Sequence, residues 1–325
     1  MKIKVIFTGG TIGSRSDGEY IGLGGAPFVL IERWRKTHGG VDFEYAEPYS
    51  ILSEELTAEN LAALARCVKE QTDGADAVII THGTDTLVYT AAYLGFLFCD
   101  TKIPIILVSS GYPLDDERAN GHENFAAAVD FAKADVDGVF VVWTSDGESR
   151  VHLGVRMLMQ QPYSDMIESV GGKFYGSVKK GGFYQNDICR ENGTGLFCGR
   201  EIIPPTGLRK IMRLDCCPEM YYPAILGDIS AVLLKSYHSG TMCADSRLEA
   251  FVNLAKEKGA LVFLIGANGR ESDYETVKKY RSLGIIPLAA SSPEAVYIKL
   301  GLAATYGLDL VKTALSDCGG ETISL

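Results

Sequence analysis

The sequence predicts an α/β protein with two Rossmann-like domains, a larger N-terminal one on a parallel sheet and a smaller C-terminal α/β one. Three observations carry this. Short aliphatic runs alternate with longer helical patterns, the signature of strands laid side by side through helical crossovers. A stretch over 191–208 with four glycines and Pro204-Pro205 interrupts the alternation, which then resumes. The 325 residues, 46% of them hydrophobic, suffice for two cores. The expected boundaries are 1–190, a linker over 191–208, and 209–325.

Residues 2–7 are a β-branched and aromatic run and read as a buried strand. It stops at Thr8-Gly9-Gly10-Thr11, where two glycines permit a sharp turn. The polar, glycine-rich stretch 15–27 reads as a surface loop or a flap, with Tyr20-Ile21 as an apolar island. A short helix is expected over 28–37, a strand over 43–49 and a polar turn over 50–57. Thr57 then caps a helix running to about residue 72. Residues 77–80 form a strand that empties into Thr81-His82-Gly83-Thr84-Asp85-Thr86, and a helix over 87–98 leaves that turn. A strand over 103–108, a helix over 123–134 and a strand over 138–143 follow. The span 145–183 reads as irregular. Beyond the linker come strands over 210–215, 231–234 and 260–265, with helices near Tyr221 and over 246–258, 274–282 and 292–306.

Composition narrows the function. The net charge of -10 is spread along the chain, which argues against a nucleic-acid or anionic-membrane footprint. Residues 1–7 lack the form of a secretory leader, and no apolar stretch reaches membrane-spanning length, so a cytoplasmic protein is expected. The eight cysteines show neither C-x-x-C pairs nor zinc-ligand spacing, and all eight are expected to be reduced. The histidines fall in no metal pattern, and no metal or cofactor is expected.

Chemistry concentrates at two strand ends. In open α/β sheets ligands bind at the carboxyl ends of the strands. The turns 8–11 and 81–85 both lie there, and they bring Thr11, Thr84 and Asp85 to one crevice. Threonine needs a base or a hydroxyl relay to become a nucleophile. An ionised Asp85 suits an ammonium group, while backbone N–H groups at the glycine turns, Gly10 and Gly83, suit an oxyanion. Ser109, at the end of the next strand, offers another hydroxyl. His82 reads as a packing or backbone-orienting residue. Together these groups fit attack on the carbonyl of a small amino acid.

T-G-G-T-I-G at 8–13 with T-H-G-T-D-T at 81–86 resembles the two signatures of the bacterial-type L-asparaginases. Pro113-Leu114 through Arg118-Ala119-Asn120-Gly121-His122-Glu123-Asn124 is similar to a third family stretch. Ser292-Pro293-Glu294-Ala295 with Lys299-Leu300 resembles the closing helix of the cytoplasmic, type I branch. The resemblance implies hydrolysis of L-asparagine to L-aspartate and ammonia without cofactor or metal, in homodimers or homotetramers. It assigns Thr11 as nucleophile, Thr84 as the second threonine, Asp85 to the substrate's α-amino group and Ser53 to its α-carboxylate. Glu54 stands where Gln, Ser or Asp is more familiar, and Tyr20 resembles the flap tyrosine beside the nucleophile.

One departure weighs most. In Gly154-Val155-Arg156-Met157-Leu158-Met159, Met159 occupies the position of the family's catalytic lysine. A thioether neither donates a proton nor carries charge. Asn120 likewise replaces a usual Asp. Three readings therefore stay open: an L-asparaginase, an amino-acid-binding or regulatory relative with impaired catalysis, and an amidase for another small amide. The D subunit of the tRNA-dependent amidotransferase ranks below them, because it would need a partner protein and an additional N-terminal domain.

Overall fold

Val78 and Ile80 bury against one side of a sheet while Ala77 and Ile79 bury against the other, the signature of a strand covered on both faces. That strand is β5 (Ala77–Thr81), near the middle of an eight-stranded sheet. The computed structural model describes residues 1–16, 21–23, 28–188, 193–267 and 274–323. The large sheet contains β1 (Lys2–Phe7), β4 (Asp42–Ala46), β5, β6 (Pro104–Val108), β7 (Gly138–Ser145), β8 (Glu148–Leu153), β9 (Gly176–Lys179) and β10 (Gly182–Gln185). Its order is β10-β9-β8-β7-β6-β5-β1-β4. The strands from β7 to β4 run parallel, with Phe7 beside Thr81 and Thr81 beside Val108. The pair β2 (Ser14–Ser16) and β3 (Ile21–Leu23) forms a separate small ribbon.

Helices α1 (Val29–Arg35) and α4 (Gly121–Phe131) cover one face of the sheet; α2 (Ala58–Gln71) and α3 (Leu87–Leu97) cover the other. Thr57 caps α2 as expected: its hydroxyl accepts from the Asn60 N–H, and the Asn60 side chain accepts from the Thr57 N–H.

Beyond residue 205, β11 (Ile211–Asp215), β12 (Ala231–Lys235), β13 (Leu261–Ile265) and β14 (Ile286–Pro287) form a second, wholly parallel sheet. Helices α5 (Ser246–Glu257) and α6 (Thr276–Ser282) pack on one face; α7 (Pro293–Thr305) and α8 (Leu310–Leu315) pack on the other. Helix α7 is the wedge of the molecule. Its Ala295, Ile298 and Leu302 enter the core under α3, while Val296 and Leu300 enter the core of the second sheet. Ser292 caps it and Pro293 opens its first turn, both good helix starters.

Three expectations are corrected. The span 145–183 is not irregular: β8, β9 and β10 extend the large sheet antiparallel. Asp146-Gly147 and Lys180-Gly181, all at positive φ, form the two-residue turns that match strand twist. No helix forms at Tyr221, because Pro218 and Pro223 break the stretch and Glu219 is left-handed. The cysteines are not all reduced, for Cys99 and Cys198 are disulfide-bonded. Cys67, Cys216, Cys217, Cys243 and Cys318 are free thiols, and Cys189 lies outside the described residues. The helix α8 and the short β14 were not anticipated. No helix of the described residues is long and apolar enough to cross a membrane.

Candidate active site

The carboxyl ends of β1 and β5 are tied by side chain as well as by pairing. The buried Thr8 hydroxyl donates to the Thr81 carbonyl at 2.7 Å. From there β1 turns through Gly9 and Gly10, both at positive φ. The Gly10 N–H donates to the Ile51 carbonyl at 2.8 Å, and the Ile51 N–H donates back to the Thr8 carbonyl at 3.1 Å. A Cβ on Gly10 would lie 2.3 Å from the Gly83 nitrogen, and one on Gly83 would lie 2.5 Å from both Cβ and Oγ of Ser53. Three segments, 8–13, 51–55 and 81–86, therefore meet with no room for a side chain between them.

This stacking positions the predicted residues. Thr11 opens a single 3-10 turn, Thr11–Gly13, and is half-buried. Thr84 is half-buried and Asp85 exposed on the turn leading into α3. Ser53 is buried and opens the turn Ser53–Glu55; its hydroxyl donates to Asp85 Oδ2 at 3.3 Å, and its carbonyl accepts from the Thr86 hydroxyl at 2.9 Å. Glu54 is exposed on the same turn. The structure thus brings Gly10, Ser53, Gly83 and Asp85 into direct succession, with Thr11 and Thr84 on the adjoining residues. Tyr20 lies outside the described residues.

His82 is wholly buried beneath this surface. Its Nδ1 lies 2.8 Å from the Gly83 carbonyl and its Nε2 lies 3.0 Å from the Thr90 hydroxyl. Burial holds it below the usual imidazole range against the opposing pull of the Gly83 carbonyl, so the ring is neutral near pH 7. It fixes the shape of the turn. Ser109 is equally buried, and its hydroxyl donates to the His82 carbonyl at 2.6 Å. Its own carbonyl accepts from the Asn124 amide at 2.8 Å.

Two asparagines that were read only as parts of a motif organise the neighbouring strand ends. Asn120 accepts from the Gly111 N–H at 2.9 Å and donates to the Thr144 carbonyl at 2.8 Å; a carboxylate could not make the second bond. Asn124 accepts from the Thr144 N–H at 2.6 Å. The usable sequence signal was an amide, rather than an acid, at residue 120. Met159 follows the turn Gly154–Arg156 and is half-buried, packed against the core under α3. A cavity of about 440 Å³ lies behind these turns between α2, α3, α7 and β11, where Thr86, Tyr89, Arg213 and Tyr297 line it. It contains none of the predicted catalytic groups. Among the described residues no three acidic, histidine or cysteine side chains cluster as a metal site would require.

A mixed sheet whose parallel strands end in threonine-bearing turns, joined through α7 to a second, parallel sheet, defines a two-sheet α/β protein. Residues 2–187 match the family model Asparaginase, N-terminal, and the chain belongs to the asparaginase family. By class it is an asparaginase-family amidohydrolase. It is 24% identical over 327 residues to an L-asparaginase of Thermococcus kodakarensis, covering 95% of this chain and 94% of that one. It is 35% identical over 187 residues to the D subunit of the glutamyl-tRNA(Gln) amidotransferase of Methanosarcina barkeri, covering 54% of this chain but 43% of that protein. Among solved structures, the thermostable L-asparaginase from Thermococcus kodakarensis superposes with a TM-score of 0.80 over the whole of both chains at 22% identity. L-asparaginase I from Vibrio cholerae gives 0.75 at 21% identity, over 96% of this chain and 95% of that one.

Proposed function

We propose that the protein hydrolyses L-asparagine to L-aspartate and ammonia, with Thr11 as nucleophile. The Thr11 hydroxyl attacks the side-chain amide carbon. Turn N–H groups beside Gly10 and Gly83 stabilise the oxyanion, ammonia leaves, and water releases aspartate from the acyl-threonine. Asp85 takes the substrate ammonium, Ser53 its α-carboxylate, and Thr84 relays the proton. Glu54 stands at the substrate end, Ser109 supports the turn from beneath through the His82 carbonyl rather than meeting substrate, and Tyr20 serves as the flap residue. The reading carries a cytoplasmic homodimer or homotetramer, by likeness to the type I branch.

One observation supports it above the rest: the Gly10–Gly83–Ser53 stacking, which packs the turn before Thr11 against the turn that carries Thr84 and Asp85. Met159 favours a second reading, in which the site binds an amino acid without turning it over. Loss of a positioned acid–base group costs about 10²–10⁴-fold in rate, whereas binding through Asp85 and Ser53 needs no lysine. Ammonia release from L-asparagine, run beside a thermal-shift titration with L-asparagine and L-aspartate, separates the two. Turnover supports the hydrolase. Stabilisation by both ligands without turnover supports the binding protein, and neither response rejects asparagine as the ligand.

A further inference from the structure

Cys99 lies just past the C-terminal end of α3, and Cys198 lies in the segment 193–205 that leads to the second sheet. The bond joins positions 99 residues apart, and both cysteines are half-buried. A cavity of about 400 Å³ adjoins it. Phe98 and Asp100, on either side of Cys99, line this cavity, as do Gly199 and Arg200, which follow Cys198. Its wall also carries Lys69 and Lys102, both exposed and neither in an ion pair among the described residues. Arg200 is held in place by donation to the Leu196 carbonyl at 2.9 Å and by the Tyr306 ring beneath it. Three cations thus face one carboxylate beside a disulfide.

Contacts other than the bond also hold the segment. Phe197 is wholly buried against Phe96, Tyr306 donates to the Glu201 carbonyl and Arg66 to the Ile202 carbonyl.

We propose that Cys99–Cys198 is an exchange site for a low-molecular-weight thiol bearing carboxylates, which the basic cavity receives. The thiolate attacks one cysteine sulfur and a new S–S bond forms. The protein disulfide breaks, and its electron pair leaves with the other cysteine, which takes up a proton. A second small thiolate attacks the small-thiol sulfur of the mixed disulfide; the bond to the cysteine breaks, its electron pair leaves with the cysteine sulfur, which takes up a proton, and the protein ends as a dithiol and the small thiol as its disulfide. The same small disulfide drives the reverse reaction. The cavity contributes attraction for the carboxylates, an effect that salt screens.

The test compares reduced glutathione with uncharged 2-mercaptoethanol at matched thiolate concentration, following bond opening by alkylation and peptide mass. Glutathione is expected to open the bond faster. Lys102→Ala or Lys69→Ala, both surface changes, is expected to lower that advantage about two- to fivefold, the scale of an exposed charge contact, and high salt to abolish it. Cys99→Ser incubated with oxidised glutathione is expected to carry the mixed disulfide on Cys198. Equal rates for the two thiols that ignore both lysine variants and salt would overturn the proposal. So would a bond that neither thiol opens, or isolation of Cys99 and Cys198 as free thiols from oxidising buffer.

Discussion

In the proposed hydrolysis Met159 is the residue expected to limit the rate. Its side chain is half-buried against the core beneath α3, where a thioether packs well and carries no charge. Met159→Lys is expected to raise the rate of ammonia release about 10²-fold or more, the usual worth of a positioned acid–base group; unchanged turnover in that variant would show that another group does this work. The placement of Thr11, Thr84 and Asp85 on adjoining turns was legible because hydroxyls and a carboxylate beside glycines at strand ends form a local pattern. Ser53 was legible only through likeness to relatives, since nothing in Ser53-Glu54-Glu55 announces that its Cβ rests on Gly83. The Asn120 and Asn124 bonds were hidden for the same reason: their partners Gly111, Thr144 and Ser109 are set by the fold.

At the scale of elements, the site is a consequence of packing between turns. Gly10 has φ of 75° and its missing Cβ is replaced by the Gly83 backbone. Gly10→Ala is therefore expected to destabilise the fold by about 2–4 kcal/mol, from left-handed strain plus a clash with backbone that cannot rotate away. Urea unfolding of the variant checks this, and a loss below about 0.5 kcal/mol, the range of a neutral surface change, would mean that the three turns do not stack. The parallel strands were legible as aliphatic runs, and α2 and α7 from Thr57 and the Ser292-Pro293 pair. The strands β8 to β10 were missed because their alternation is weak, with Ser149 and Arg150 half-buried on a sheet extension. Asp146-Gly147 was nonetheless a strong hairpin signal.

Across the whole molecule, the C-terminal stretch 316–323 holds the parts together. Buried Lys299 donates to Glu321 at 2.8 Å and to the carbonyls of Ala314 and Ser316, while Arg156 donates to the Gly320 carbonyl and the Thr194 N–H to the Asp317 carbonyl. These partners are far apart in sequence, as are Cys99 and Cys198, so neither link was legible. Burial raises the Asp317 carboxyl, with the Glu321 charge adding to it, to about 6. Burial also pushes Glu321 up, but the Lys299 charge, the Asp317 hydrogen bond and the Gly319 N–H outweigh it and leave Glu321 below its usual range. A raised carboxyl contributes stability that is complete below its unfolded value near 3.8 and is lost as pH rises through 6. Wild type is thus expected to lose more Tm between pH 5 and pH 7 than Asp317→Asn, whose amide stands in for the protonated acid; parallel Tm curves would remove Asp317 as the cause. At this scale the proposed function rests on the strand-end turns of the large sheet, which would make Thr11 a nucleophile for an amide. Ammonia release from L-asparagine by wild type and by Thr11→Ala, each confirmed folded by circular dichroism, tests this most directly. Steady release by wild type and none above background by the variant is the expected result, and equal release by the two would contradict it.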